Sequence, residues 1–153
     1  MLQVYEKKTR NPRAITNTQS IATTETAILI LRNRRTYNGF INQVEIEPQI
    51  VSVSSEANKN TIFRVRAIEN FTSEVDFQTA GTNLVGDVAK TSVAFSGGRL
   101  LAAEIVSPGQ GTKFNLKELN VRAPPGLHLI ITGEKISGTA ADMTASITWF
   151  EDL

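Results

Sequence analysis

Residues 119–153 read LNVRAPPGLHLIITGEKISGTAADMTASITWFEDL, and this stretch decides the fold class. Leu127, Leu129 and Ile131 alternate with His128, Ile130 and Thr132. Met143, Ala145, Ile147 and Trp149 alternate with Thr144, Ser146, Thr148 and Phe150. A side-chain period of two gives each run one face toward a core and one toward something else. A polar turn containing Gly138 separates the runs. The expectation is a closing β-hairpin that buries the chain's one tryptophan, Trp149.

Working outward, the same pattern recurs. Ala27–Leu31 is a short apolar run and reads as a buried strand. Asn38-Gly39 is the sharpest hairpin signal. Phe40–Ser54 is strand material interrupted at Pro48, which marks an edge, a bulge or a bend because proline cannot donate to a ladder. Phe63, Val65 and Ala67 alternate with Arg64, Arg66 and Ile68. Glu74–Gln78 alternates again, and Leu84–Phe95 holds one further strand. Leu100–Val106 fits helix or strand, and its shortness and flanking glycines and proline favour a strand. Gln110–Asn120 holds a short strand and a single helical turn. Short strands with turn signals between them indicate an antiparallel two-sheet sandwich, and of such folds a jelly roll is expected.

Residues 1–25 are polar and carry Pro12, so they read as an extended arm or a loosely attached first strand, with the sandwich domain at 26–153. Net charge is +1, unevenly placed. Residues 1–35 hold seven basic side chains against two acidic ones, and the remainder is acidic. Lys7, Lys8, Arg10 and Arg13 make the arm the candidate contact with a partner. There are no cysteines, so disulfide and thiol chemistry are excluded. No run approaches a membrane span, and the first residues lack the apolar core of a secretory signal, so synthesis and folding in a cytosol are expected.

Chemistry finds little footing. His128 is the one histidine, set within an apolar strand, and a metal would need carboxylates to complete its shell. A serine triad lacks a choice of base and the Gly-x-Ser-x-Gly turn. Glu45 with Glu47, and Glu74 with Asp76, share strand faces, as solvated carboxylates commonly do. The glycines at 97–98 and 109–111 do not have P-loop spacing. Arg64 and Arg66 beside Phe63 suggest stacking on single-stranded nucleic acid, but no aromatic and basic stripe surrounds them, and pairing with carboxylates is the expectation. No catalytic residue, metal or cofactor is expected, and neither a membrane nor a nucleic acid is the expected partner. A structural or binding protein remains. Ile68, His128, Ile130 and Phe150, on the polar sides of their strands, are the candidate subunit interface, unless the sheet is buried on both faces. Tyr37 and Phe40 are the candidate loop-end ligand contacts.

Pro125-Gly126-Leu127-His128-Leu129, Ser137-Gly138-Thr139-Ala140 and Trp149-Phe150-Glu151 together resemble the ends of small jelly-roll virion proteins of tailed bacteriophages. The resemblance spans about 35 residues and carries no functional residue over. It implies a capsid cement or decoration protein on the capsid exterior, made in a bacterial cytoplasm. The implied partners are the major capsid protein and further copies of itself, a trimer before a dimer. The alternative it implies is a receptor- or carbohydrate-binding piece of a head fibre or tail.

Overall fold

The structure, a computed structural model, describes residues 10–37, 39–69, 77–79, 86–89 and 97–152. Among these, twelve strands follow one another: β1 (Arg10–Ile21), β2 (Thr26–Asn33), β3 (Thr36–Tyr37), β4 (Phe40–Ile41), β5 (Ile46–Ser55), β6 (Thr61–Ile68), β7 (Gln78–Thr79), β8 (Gly86–Ala89), β9 (Arg99–Val106), β10 (Gly111–Asn115), β11 (His128–Lys135) and β12 (Ala141–Asp152). One sheet has the order β1-β12-β5-β10 and the other β7-β8-β2-β11-β6-β9. Strands β3 and β4 form a separate small ribbon. Neighbours pair antiparallel throughout, and the two large sheets pack face to face. The expected all-β sandwich is therefore present.

The alternation seen in the sequence builds the core. Met143, Ala145, Ile147 and Trp149 of β12 are buried, as are Val51 and Val53 of β5. They meet Leu29 and Leu31 of β2, Phe63 and Val65 of β6, and Leu129 and Ile131 of β11. Burial of this apolar area, at roughly 25 cal/mol per Å², is the main force holding the sheets together. Gly133 of β11 leaves room for it: a Cβ there would lie 2.6 Å from the Met143 sulfur.

The closing hairpin does not form. The two alternating runs lie in different sheets, β11 beside β2 and β6, and β12 beside β1 and β5. The turn after Lys135 crosses the sandwich rather than folding the chain back on itself. A period of two fixes which side chains face inward, and it does not say which strand lies alongside.

Three other readings are refined. Arg10–Ile21 runs in register along β12 from Arg10 opposite Asp152 to Ile21 opposite Ala141, so of the two readings of this segment it is the first strand, at the edge of its sheet, and not an extended arm. Pro48 sits at a β-bulge: Trp149 faces Pro48 and Ile147 faces Val51, with the extra residue between. The Thr148 hydroxyl accepts the Ile50 N–H at 3.2 Å there, which helps satisfy the interrupted ladder. Leu100–Val106 is strand, and turn rather than helix follows β10.

Glu151 joins the sheets at one end. Its carboxylate is fully buried, accepts the Gly86 N–H of β8 at 2.9 Å and takes the Trp149 indole N–H at 3.2 Å. Removing this acceptor strands two buried donors, each costing about 1–3 kcal/mol. Glu151→Ala should therefore lose about 3 kcal/mol, and Glu151→Gln, which keeps one acceptor, clearly less. Urea unfolding followed by Trp149 fluorescence checks the order, which equal midpoints for the two variants would contradict.

Candidate functional site

The register sorts the loops into two groups. The turns after β1, β5, β9 and β11 lie together at one end and are short. Strands β2, β6 and β10 finish at the other end, with the start of β1 and the finish of β12. Loops carried on a rigid sandwich are the usual bearers of binding function.

At the end where β2 finishes, a buried amide knot holds the β3–β4 ribbon. Asn33 Nδ2 donates to the carbonyls of Val44 and Ala123, each at 2.8 Å. Asn42 Nδ2 donates to Asn33 Oδ1 and to the Arg34 carbonyl, each at 2.7 Å. Asn42 Oδ1 accepts the Val44 N–H at 2.9 Å. Both asparagines are buried, so their side chains replace strand hydrogen bonds for the backbone that leaves β2 and enters β5. The Asn42 N–H closes the ribbon on the Arg35 carbonyl at 2.9 Å, and Gly39, at φ +80°, takes the left-handed turn.

This knot presents an apolar tip. Phe40 is 77% exposed and Ile41 81%. Tyr37 lies opposite Phe40 in register but packs against the core, with Arg34 over its ring at 5.2 Å from the centroid. The two candidate ligand contacts thus share a ribbon without forming a common aromatic platform. Ile41 was not singled out from the sequence. Its signal was there, two adjacent large apolar residues directly after Asn-Gly, where a tight turn leaves no room for a core.

The four candidate subunit-interface residues do not form one patch. Ile130 is fully buried on the far side of its sheet, with Ala27, Ile30 and Ala89, and Ile68 and Phe77 pack against them. Ile130 thus belongs to a second buried cluster rather than to a surface. His128 is also buried, its Nδ1 3.2 Å from the Ile68 carbonyl oxygen. Its ring lies 5.8 Å from that of Phe77, which the Arg32 guanidinium covers at 3.8 Å. Phe150 is on the other sheet. It is half-buried and lines a shallow outer groove of about 400 Å³ with Pro12, Arg13, Ala14, Gln49, Thr148 and Trp149. The separation follows from the crossing turn between β11 and β12.

Of the candidate basic contacts, Lys7 and Lys8 lie outside the described residues. Arg10 opens β1 opposite Asp152, and Arg13 is exposed beside the groove, its Nη1 donating to the Pro12 carbonyl at 3.0 Å. Glu74 and Asp76 also lie outside the described residues, whereas Glu47 is buried in an ion pair with Arg122 and Glu45 is exposed. Arg64 and Arg66 pair across strands as expected. Arg66 holds Glu25 with Nε at 2.7 Å and Nη2 at 2.9 Å, while Arg64 bridges Glu25 at 3.2 Å and Glu134 at 2.7 Å. Among the described residues, no group of three or more metal-ligating side chains converges.

Two titrations follow from these surroundings. Burial holds the His128 pKa below 6.5, helped by the charges of Arg32 and Arg35 and opposed by the hydrogen bonds the ring donates to the backbone at Ile68 and Gly126. At Glu25 burial opposes ionisation, but hydrogen bonds from Arg66 and Thr132 and the charges of Arg66 and Arg64 outweigh it, leaving its pKa below 4.5. No protein-family model matches this sequence, and the comparisons with curated proteins and with solved structures return no match.

A histidine with a depressed folded pKa binds its proton more readily once unfolded, so stability is full above pH 6.5 and falls as the pH drops below it. Glu25 has the same sign at lower pH: its contribution is present above 4.5 and is lost as the carboxylate protonates below that. Urea midpoints should decline in two stages on acidification. His128→Asn should flatten the first stage and Glu25→Gln the second, and a wild-type midpoint that rises on acidification from neutrality would contradict both assignments.

Proposed function

We propose that this chain is a jelly-roll structural protein of a virus particle, of the capsid cement or decoration kind, which binds the major capsid protein from outside the shell. The strand order supports the jelly-roll reading. Taking β1, β2, β5, β6, β9, β10, β11 and β12 as the principal strands, successive strands switch sheets at every step except β6 to β9. Interleaved eight-stranded sandwiches of this kind are a common design of viral capsid domains, and also of lectins and cupins. Fold does not fix function among these, so the site must decide.

The observation that carries the reading is the ribbon tip. Exposing two large apolar side chains on a rigid, amide-pinned support costs solubility and serves docking onto another macromolecule. Burying each such side chain contributes about 1.5–3 kcal/mol, enough for repeated modest contacts over many copies to hold a lattice. The resemblance in the last 35 residues points the same way. Its Trp-x-Glu element has a structural role in this chain, since Glu151 accepts the Trp149 indole hydrogen bond. The basic segment at Lys7, Lys8, Arg10 and Arg13 suits an acidic shell surface.

The second reading, an attachment module of a head fibre or tail, rests on Phe40 as a sugar-stacking face. Arg34 over the Tyr37 ring leaves that reading a single open aromatic on this ribbon.

Particles lacking the chain should break at a lower temperature, and purified chain added back should bind saturably to the shell exterior and restore the higher breakage temperature. Unchanged breakage together with no binding to shells, or binding to a defined glycan instead, would displace the cement reading.

A further inference from the structure

The two large sheets present four edges among the described residues, and three of them are blunted against pairing. Strand β7 is two residues long and β10 five, the latter carrying Lys113. Strand β9 is bulged at Leu101, between the Val65–Ala102 and Arg66–Leu100 pairs, and carries Arg99 and Glu104. Short length, charge and bulges are the usual means of keeping an edge from meeting another strand. Strand β1 is 12 residues long and runs beside β12 without a shift of register. From Ala14 to Ile21 it holds no charge and no proline. We propose that this edge is the interaction surface for a second copy of the chain, with two β1 strands pairing antiparallel about a two-fold axis and joining their sheets into one.

Strand β1 stands last in the order β1-β12-β5-β10. A strand with a neighbour on one side only turns the backbone groups of every second residue outward, and another strand is the partner that meets them in a row. The edge is also set in place beforehand. Ile15 packs against the core, and Asn17 Nδ2 donates to the Ile28 carbonyl of the opposite sheet at 2.9 Å. A strand already held from its inner side loses little freedom on gaining a neighbour.

The sequence of β1 fits itself. A two-fold axis normal to the sheet keeps every side chain on its own face, so the axis passes through a residue of the strand. Placed at Ile15, it sets Ile15 of one copy against Ile15 of the other, on the inner side where each is only half-buried alone. Apolar β-branched pairs across strands are stabilising. Ala14 then lies opposite Thr16, and Pro12 opposite Thr18, all four exposed and uncharged. Arg13 meets Asn17 rather than another charge. Arg10 meets Ser20, whose own neighbour on β12 is the exposed Asp142. The basic start of each β1 therefore runs toward the end of the other copy that carries Asp142 and Glu56, both exposed, and no like charges are opposed along the strand.

The contact is isologous, the same edge on both copies, so it closes at two and does not grow into a fibre. The other three edges, being blunted, do not extend it. A strand lent by a shell protein is the competing occupant, but it has no reason to match β1 about Ile15, whereas a second copy matches by symmetry. The result is a dimer, where the resemblance of the last 35 residues implied a trimer first. The β1 edge and the β3–β4 tip are separate surfaces, and pairing at one leaves the other open.

Light scattering of the full chain over a wide range of concentration should give twice the monomer mass. A double variant with Ala14→Lys and Thr16→Lys sets like charges directly opposite at two places, as does one with Ala14→Glu and Thr16→Glu. Each should weaken association by about 100-fold or more. Mixed in equal amounts, the two should form a mixed dimer, since every cation then faces an anion. Both positions are exposed, so each variant alone should melt as the wild-type monomer does. The chain has no cysteine, so a single introduced one reports the register. Ile15→Cys should link two copies through a disulfide under mild oxidation. Thr18→Cys should not, because its two copies lie roughly 20 Å apart along the strands. A wild type that is monomeric throughout, double variants that stay dimeric, a mixture that stays monomeric, or linkage through Thr18→Cys in place of Ile15→Cys overturns the proposal. So does protection of the β1 amides from hydrogen exchange that appears only on a virus shell. Shell binding itself is not a readout, so failure of this contact and failure of the capsid reading are separately visible.

Discussion

The Glu151 carboxylate is the constraint on which much of this sandwich depends. It sits without exposure at the finish of β12, where it receives the indole N–H of Trp149 from its own strand and the backbone N–H of Gly86 from the opposite sheet. Gly86 has to be small for this, because a Cβ there would lie 2.8 Å from the Glu151 oxygen. A buried acceptor with donors from both sheets fixes their spacing in a way that non-directional apolar packing does not. It also orients Trp149, the largest side chain of the core.

From that fixed end the two kinds of loop follow. Short turns close the far end of the sandwich, and β2, β6 and β10 finish at the end where Glu151 lies. The Asn33–Asn42 knot then lifts the β3–β4 ribbon off this end and holds it in one geometry. Rigidity is what turns an exposed Phe40 and Ile41 from a liability into an anchor, since a preordered tip loses little entropy when it docks. The outer face of the second sheet is different: it carries the Arg64–Arg66–Glu25–Glu134 network and a buried apolar cluster, with Leu100 and Ile105 of β9 exposed.

His128 shows how local reading and tertiary context divide. Its place on the polar side of an alternating strand was legible, and so was its neighbourhood of apolar residues. That Phe77, itself under the Arg32 guanidinium, would lie beside it was not, because Phe77 comes from a connection distant in sequence. The same applies to Ile130, whose alternation placed it outward but could not show that it is buried there with Ala27, Ile30 and Ala89. Arg64 and Arg66 were better served, since their partners occupy the same sheet face and cross-strand pairing of opposite charge is expected there.

The sequence by itself determined most of the strands and their inward faces, the interruption at Pro48, the turn at Gly39 and the burial of Trp149, because each depends on a residue and its near neighbours along the chain. Only the tertiary structure decided that β11 and β12 part into different sheets, that Arg10–Ile21 lies along β12 rather than free, and that Phe150 belongs with Pro12 and Ala14 instead of with Ile130. The physical reason is that a two-residue period selects a face and leaves the lateral partner open. That choice is made by packing and hydrogen bonding among segments far apart in sequence, as when Glu151 meets Gly86.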